Sequence, residues 1–148
     1  FRAFDGELLI DNADLTKSSV NVSIDAASVD MDHDKLNEHL KTKDFLDAAG
    51  QPKLTFRSTK VETRGANALA VTGDLTLLGV TKPVTLAVTL RKVDAHPFAK
   101  RPAIGIHAEG TIKRSDFGMN YGIPNIGDTV KIRIDSETIQ AAPAAAAQ

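Results

Sequence analysis

Apolar and polar residues alternate one by one along most of this chain, and a period of two belongs to half-buried β-strands, not to helices. The alternation opens with Phe4, Gly6, Leu8 and Ile10 and resumes at Val20, Val22, Ile24 and Ala26, with Asn21, Ser23 and Asp25 between them. It returns at Leu54 and Phe56, at Leu69, Val71, Gly73, Leu75 and Leu77, and at Val84, Leu86, Val88 and Leu90. Ile104, Ile106, Ala108, Gly110 and Ile112 form a further set, and Val130, Ile132 and Ile134 the last, so that seven strands are predicted. The pauses at Asn12-Ala13-Asp14, Arg64-Gly65-Ala66-Asn67 and Leu78-Gly79-Val80-Thr81 are short enough for hairpins, which makes the sheet antiparallel. One stretch breaks the rhythm: between Asp32 and Lys43, Leu36 and Leu40 stand four apart among polar residues, and the spacing predicts a short helix led by acids within a connecting loop.

Seven strands with one apolar face leave two exposed edges, a liability that closure into a barrel removes. The expected fold is all-β: an antiparallel eight-stranded barrel with seven strands visible and one short helix in a loop. The eighth strand would lie before Phe1, or a second copy of the chain would supply it, as in a homodimer. At 148 residues the chain fits one such domain, expected over 1–140 and incomplete at its start. Residues 141–148, Ala-Ala-Pro-Ala-Ala-Ala-Ala-Gln, have no amphipathic face to dock and are expected to be a disordered tail.

Several function classes are disfavoured at once. No segment approaches the roughly 18 consecutive apolar residues of a membrane helix. Eighteen basic against 19 acidic residues give a net charge of −1 with no basic run, so nucleic acid is not an expected partner. The chain has no cysteine, which removes disulfides, thiolate metal sites and a cysteine nucleophile. Asp30-Met31-Asp32-His33-Asp34 has the alternating acids that open a calcium loop, but Lys35 and Lys41 stand where glycine and glutamate belong. His33 and His39 are six apart and share no helical face, so no metal site is expected. No nucleophile elbow, phosphate loop or dinucleotide fingerprint occurs, and the reading is of a protein that is not an enzyme and takes no cofactor.

Successive links of a meander alternate between the two ends of a barrel. Residues 28–53, 78–82 and 115–127 therefore share one mouth, which collects Phe45, Leu46, Val80, Phe117, Met119, Tyr121 and Ile123. The same mouth holds His39, Asp44, Lys82, Arg114, Asp116 and Asn120. Apolar loops with a few charges suit a portal for lipid. The candidate apolar lumen comprises Val22, Ile24, Phe56, Leu75, Leu77, Leu86, Val88, Ile106 and Ile132 from strands, with Phe45, Phe117 and Met119 from the mouth. The candidate polar contacts are His39, Arg114, Asp116 and Asn120. Arg114-Ser115-Asp116 either binds a headgroup or braces its own loop through an Arg–Asp pair. Gly6, Gly73, Ala108 and Gly110 on the inward face either leave room for a ligand or relieve strain where strands coil.

Five phrases, taken together and in order, resemble those of the YceI-like proteins: Ser28-Val29-Asp30, His39-Leu40-Lys41-Thr42-Lys43-Asp44-Phe45, Pro52-Lys53-Leu54-Thr55-Phe56-Arg57-Ser58-Thr59, Gly73-Asp74-Leu75-Thr76-Leu77-Leu78-Gly79-Val80-Thr81-Lys82-Pro83-Val84, and Arg114-Ser115-Asp116-Phe117-Gly118-Met119. The resemblance runs from about Phe1 to Ile139. It implies a lipocalin-like barrel, made with a signal peptide and exported to the bacterial periplasm, that carries an isoprenoid such as a polyprenyl phosphate or a quinone in its lumen. The family's first strand has no counterpart here. Leu36-Asn37 replaces the Arg-Asp pair that many relatives have before Glu-His-Leu, which bears on the headgroup and not on the fold.

Overall fold

The computed structural model describes residues 1–11, 13–93, 97–98 and 100–139. The Ala/Pro tail expected at 141–148 lies outside them. Seven strands, β1 (Phe4–Leu9), β2 (Ser19–Asp25), β3 (Lys53–Thr63), β4 (Ala68–Leu77), β5 (Val80–Val93), β6 (Ala103–Lys113) and β7 (Thr129–Ile139), pair in chain order as one antiparallel sheet. The sheet curls into a half-barrel. The expected helix is present as α1 (Asp34–Leu40), whose N-cap is the His33 ring, with Nδ1 accepting from the Leu36 N–H at 3.1 Å.

Three strands, β3, β5 and β7, run further than their alternation suggests. The register slips between Ser58 and Lys60, so that β3 carries one extra residue opposite β4 and Val61 returns to the inward face beside Val71. At this bulge the Ser58 hydroxyl accepts the Val20 N–H at 2.9 Å, which satisfies a donor that the irregular ladder would leave open. The turn between β4 and β5 is only Leu78-Gly79, with φ of 54° and 73°, the left-handed pair that a two-residue hairpin requires, so Val80 and Thr81 already belong to the strand. Pro83 is tolerated inside β5 because the ladder to β6 runs only from Ala87–Glu109 to Val93–Ala103.

Register places the apolar sets on one concave face. Val22, Phe56 and Leu75 are successive cross-strand partners, as are Leu69, Val88, Ala108 and Ile134. The core is centred on β4 and β5, where Leu69, Val71, Leu77, Val84, Leu86, Val88 and Leu90 are all buried. Burying such a side chain contributes about 1.5–3 kcal/mol. Two of the inward glycines are covered by large neighbours: the Phe56 ring lies over Gly73 and the Leu86 side chain over Gly110, so these positions are filled by the chain itself.

At the flanks the same face is uncovered. Phe4 is 67% exposed and Ile134 39%, although their register partners Ile24 and Ala108 are better covered. Among the described residues β1 pairs only with β2, and β7 only with β6. Because the number of strands is odd, the two open edges run in the same direction, so that a strand paired with either in the antiparallel sense would be antiparallel to both.

On the convex face β7 is tied to β6 through His107, whose Nδ1 is 2.5 Å from Asp135 and whose Nε2 is 3.0 Å from Glu109. Both ring nitrogens face carboxylates and both must donate, which only the imidazolium does. The Asp135 and Glu109 hydrogen bonds accordingly raise the His107 pKa above its usual 6.5. A raised folded-state pKa means that the stabilisation is present in full below pH 6.5 and is lost as pH rises through the folded value. Thermal melts at about pH 6 and pH 8.5 should show this loss in the parent, and His107→Gln should reduce it. An equal pH response in the two proteins would contradict the assignment. The ring is half exposed, so the effect should be a small part of the total stability.

Candidate functional site

The residues expected to line a lumen fall into two groups. Phe45, Leu77, Leu86, Val88, Phe117 and Met119 are buried in one packed cluster, Phe117 at 2% exposure. Val22, Ile24, Phe56, Leu75, Ile106 and Ile132 are only half-buried. Phe45 and Leu46 after α1, and Phe117 and Met119 after β6, fold back into the core, so these loop residues pack with the middle of the sheet and do not rim an empty mouth. The apolar surface left over lies toward the outer strands. Lys82 shares the inward row of Val22, Phe56 and Leu75 at the mouth end, where it is exposed.

Arg114 organises the mouth. It opens a 3₁₀ turn, Arg114–Phe117, that ends at Gly118 with φ of 78°, a left-handed conformation that favours glycine. Only 5% exposed, its guanidinium donates to four backbone carbonyls: Gly127 at 2.9 Å, Ile126 at 3.0 Å, Tyr121 at 3.2 Å and Met119 at 3.3 Å. The arginine therefore braces its loop, but through carbonyl oxygens and not through Asp116. Neighbouring Ser115 donates its N–H and hydroxyl to Asp128, at 2.8 and 2.7 Å, and these bonds hold the Asp128 carboxyl below its usual range.

Against this frame stand three rings in mutual edge-to-face contact: His39–Phe45 at 5.0 Å, His39–Tyr121 at 5.2 Å and Phe45–Tyr121 at 5.3 Å between centroids. The Arg114 guanidinium lies 5.9 Å from the centre of the Phe45 ring. His39 is held by Asp44, Nε2 to Oδ2 at 2.9 Å. Of the four polar mouth residues, then, His39 and Arg114 meet around Phe45, whereas Asp116 and Asn120 are exposed. Tyr121 was expected at this mouth, though not named as a ligand contact, and Asp128 was not expected at all. The alternation of links placed Tyr121, the chain's single tyrosine, at the mouth, but not against His39 and Phe45.

The acids before α1 have a structural use. Asp30 accepts the Asp32 N–H and bonds to the Arg2 and Asn37 side chains, which together lower its pKa to about 2. Among the described residues no group of three or more His, Cys, Asp or Glu is placed to hold a metal ion, and no helix is long and apolar enough to cross a membrane. Two shallow grooves of about 430 and 470 Å³ run over the convex face, along Ala68, Ala70, Thr85, Ala87 and Thr89 and along Arg91, Gly105, His107 and Asp135. Both are wide open to solvent and lie on the face opposite the inward row of Val22, Phe56 and Leu75. The concave face, with its braced mouth, is the candidate site.

Comparison with known proteins agrees with that architecture. Residues 1–138 match the model of the YceI-like domain. The protein YceI of Escherichia coli O157:H7 is 40% identical over 140 residues, which cover 95% of this chain and 72% of that protein. Its counterpart in Salmonella arizonae is 39% identical over the same shares. The crystal structure of Campylobacter jejuni YCEI protein superposes with a TM-score of 0.88 at 26% identity, covering 96% of this chain and 84% of that one. Burkholderia cenocepacia BcnA gives a TM-score of 0.83 at 29% identity, covering 93% and 85%. An antiparallel half-barrel with one apolar concave face, an arginine-braced mouth and this breadth of sequence match make the chain a member of the YceI-like family.

Proposed function

We propose that this chain is a non-catalytic carrier that holds one long apolar lipid, an isoprenoid such as a polyprenyl phosphate or a quinone, against the concave face of the barrel in the bacterial periplasm. The observation that carries the reading is the set of half-buried apolar side chains, Val22, Ile24, Phe56, Leu75, Ile106 and Ile132, on one face beside an already packed core. A prenyl tail laid along them would gain about 25 cal/mol for each Å² of apolar surface removed from water, so affinity should grow with chain length. Polar groups at the mouth would set orientation. His39, Asp116 and Asn120 are accessible for that role, whereas Arg114 has committed most of its donors to carbonyls.

The test is organic extraction and native mass spectrometry of the purified protein, followed by titration with a quinone and a polyprenyl phosphate. Ile132→Trp, facing inward on β7, should weaken binding by at least about tenfold, while Lys131→Trp on the opposite face should leave it unchanged. Each variant must first be shown to be folded. Equal binding by both variants, or none by the parent, would reject the carrier reading. The burial of Phe45, Phe117 and Met119 favours a second reading, a ligand-free barrel whose interior is filled by its own side chains, and the same titration separates the two.

A further inference from the structure

Lys82 stands at a position of β5 where the pleat points inward. Val80, Val84, Leu86, Val88 and Leu90 share its phase along the strand, and all of them belong to the core or pack against it. Across the sheet the register runs Val22, Phe56, Leu75 and then Lys82, so a row of three half-buried apolar side chains ends on an ammonium. This end of β5 is the mouth end: the Leu78-Gly79 turn sits beside the loop after α1, where a Cβ on Gly79 would come within 3.3 Å of the Gln51 side chain. Lys82 is exposed, and among the described residues no carboxylate lies within ion-pairing distance of it. Two acids of the same mouth are engaged elsewhere, Asp44 by His39 and Asp128 by Ser115. Arg114 has its donors on backbone carbonyls, whereas the three donors of Lys82 are open to a ligand.

An ammonium beside an apolar surface costs little while water reaches it, because the alkyl stem lies along the surface and the charge points out. A long apolar chain laid over Val22, Phe56 and Leu75 would remove part of that water. A neutral headgroup would then leave the charge partly desolvated and without a counter-charge, whereas a phosphate or carboxylate oxygen replaces the lost water with a charge-assisted hydrogen bond. We propose that Lys82 anchors an anionic headgroup, a phosphate or carboxylate at the end of one apolar chain, and so selects acidic amphiphiles over quinones and other neutral lipids. The inference rests on the carrier reading and narrows its ligand class. Lys92 provides a control, since it also falls in phase with the inward face, opposite Ile104, but at the far end of β5.

The experiment is titration of the full chain at about pH 7.5, where a phosphate monoester carries nearly two negative charges. The probes are geranylgeranyl monophosphate, geranylgeraniol, the ubiquinone that carries the same chain, and inorganic phosphate. The parent should bind the phosphate lipid at least about tenfold more tightly than either neutral lipid, the smallest gain expected from a hydrogen bond between charged groups. Lys82→Met should weaken the phosphate lipid at least about tenfold and leave the neutral lipids bound as before, while Lys82→Arg should keep the preference and Lys92→Met should behave as the parent. Inorganic phosphate should neither bind measurably nor displace the lipid, because the chain supplies most of the affinity. Thermal melts identify any variant that is not folded, and the preference of the parent is a test that needs no variant. Equal binding of the phosphate and neutral lipids by the parent, a preference that survives in Lys82→Met, or an equal loss in Lys92→Met would overturn the anionic assignment and leave the carrier reading standing, since the lipids still bind. Binding of none of the three lipids, or of inorganic phosphate as tightly as of its lipid, would overturn both.

Discussion

Replacing Arg114 with alanine should lower the melting temperature by about 10 °C, the largest loss expected from any single side chain of the mouth. The guanidinium donates to the carbonyls of Met119, Tyr121, Ile126 and Gly127 from a site that is 5% exposed. A hydrogen bond to a charged group is worth about 1.5–3 kcal/mol, and carbonyls that lose such a donor while shielded from water keep their desolvation penalty. Removing the buried charge offsets part of this loss, which leaves a net destabilisation of about 3–4 kcal/mol. At about 2–4 °C per kcal/mol for a domain of this size, the shift is roughly 10 °C. Arg114→Lys keeps the charge but not the planar fork and should recover only part of the loss. Hydrogen exchange adds a local readout: the amides of Met119, Ile123 and Ile126, which are bonded within this loop, should exchange faster in Arg114→Ala while those of β4 change least. A loss below about 1 kcal/mol would mean that the loop is held by other contacts.

Gly73→Ala should cost about 2–3 kcal/mol, whereas Gly110→Ala should be close to neutral, although both are inward-facing strand glycines. A Cβ on Gly73 would come within 2.6 Å of the Arg57 carbonyl oxygen and 2.5 Å of the Phe56 ring. The carbonyl is backbone beside the β3 bulge and has little freedom to retreat. At Gly110 the nearest atom, at 2.5 Å, is the Leu86 Cδ2, the far end of a side chain that can change rotamer. Replacing a strand glycine also recovers roughly 0.5–1 kcal/mol of chain entropy, enough to offset a small rearrangement of Leu86 but not a backbone clash. Urea denaturation of both variants measures the difference. Phe56→Leu combined with Gly73→Ala should recover the ring's share of the penalty and no more, because the Arg57 carbonyl remains in place. Equal losses at the two glycines would show that the Arg57 carbonyl yields as readily as the Leu86 side chain.

Much of this molecule was legible in its sequence because the pleat has a period of two. Alternation alone orients Val22, Phe56, Leu75, Leu86 and Ile132 toward one side, and the ladder between neighbouring strands carries that choice across the sheet. The β3 bulge escaped that reading, since an inserted residue shifts the phase and Val61 then falls out of step with Phe56. The length of β5 also escaped it: Leu78 in a left-handed conformation made a two-residue turn out of what resembled a longer one.

The sequence by itself determined the order of the strands, their antiparallel pairing, their inward set and the family to which the chain belongs. Only the tertiary structure decided what the mouth residues do. Phe45, Phe117 and Met119 lie in turns and in a single 3₁₀ turn too short to impose a face, so no local rule says whether they point to water or to the core. Arg114 illustrates the same limit: its partners are main-chain carbonyls 5 to 13 residues downstream, and a carbonyl carries no residue identity that a sequence could reveal. Strand faces follow from a short-range period, whereas loop burial follows from where distant segments of chain happen to meet.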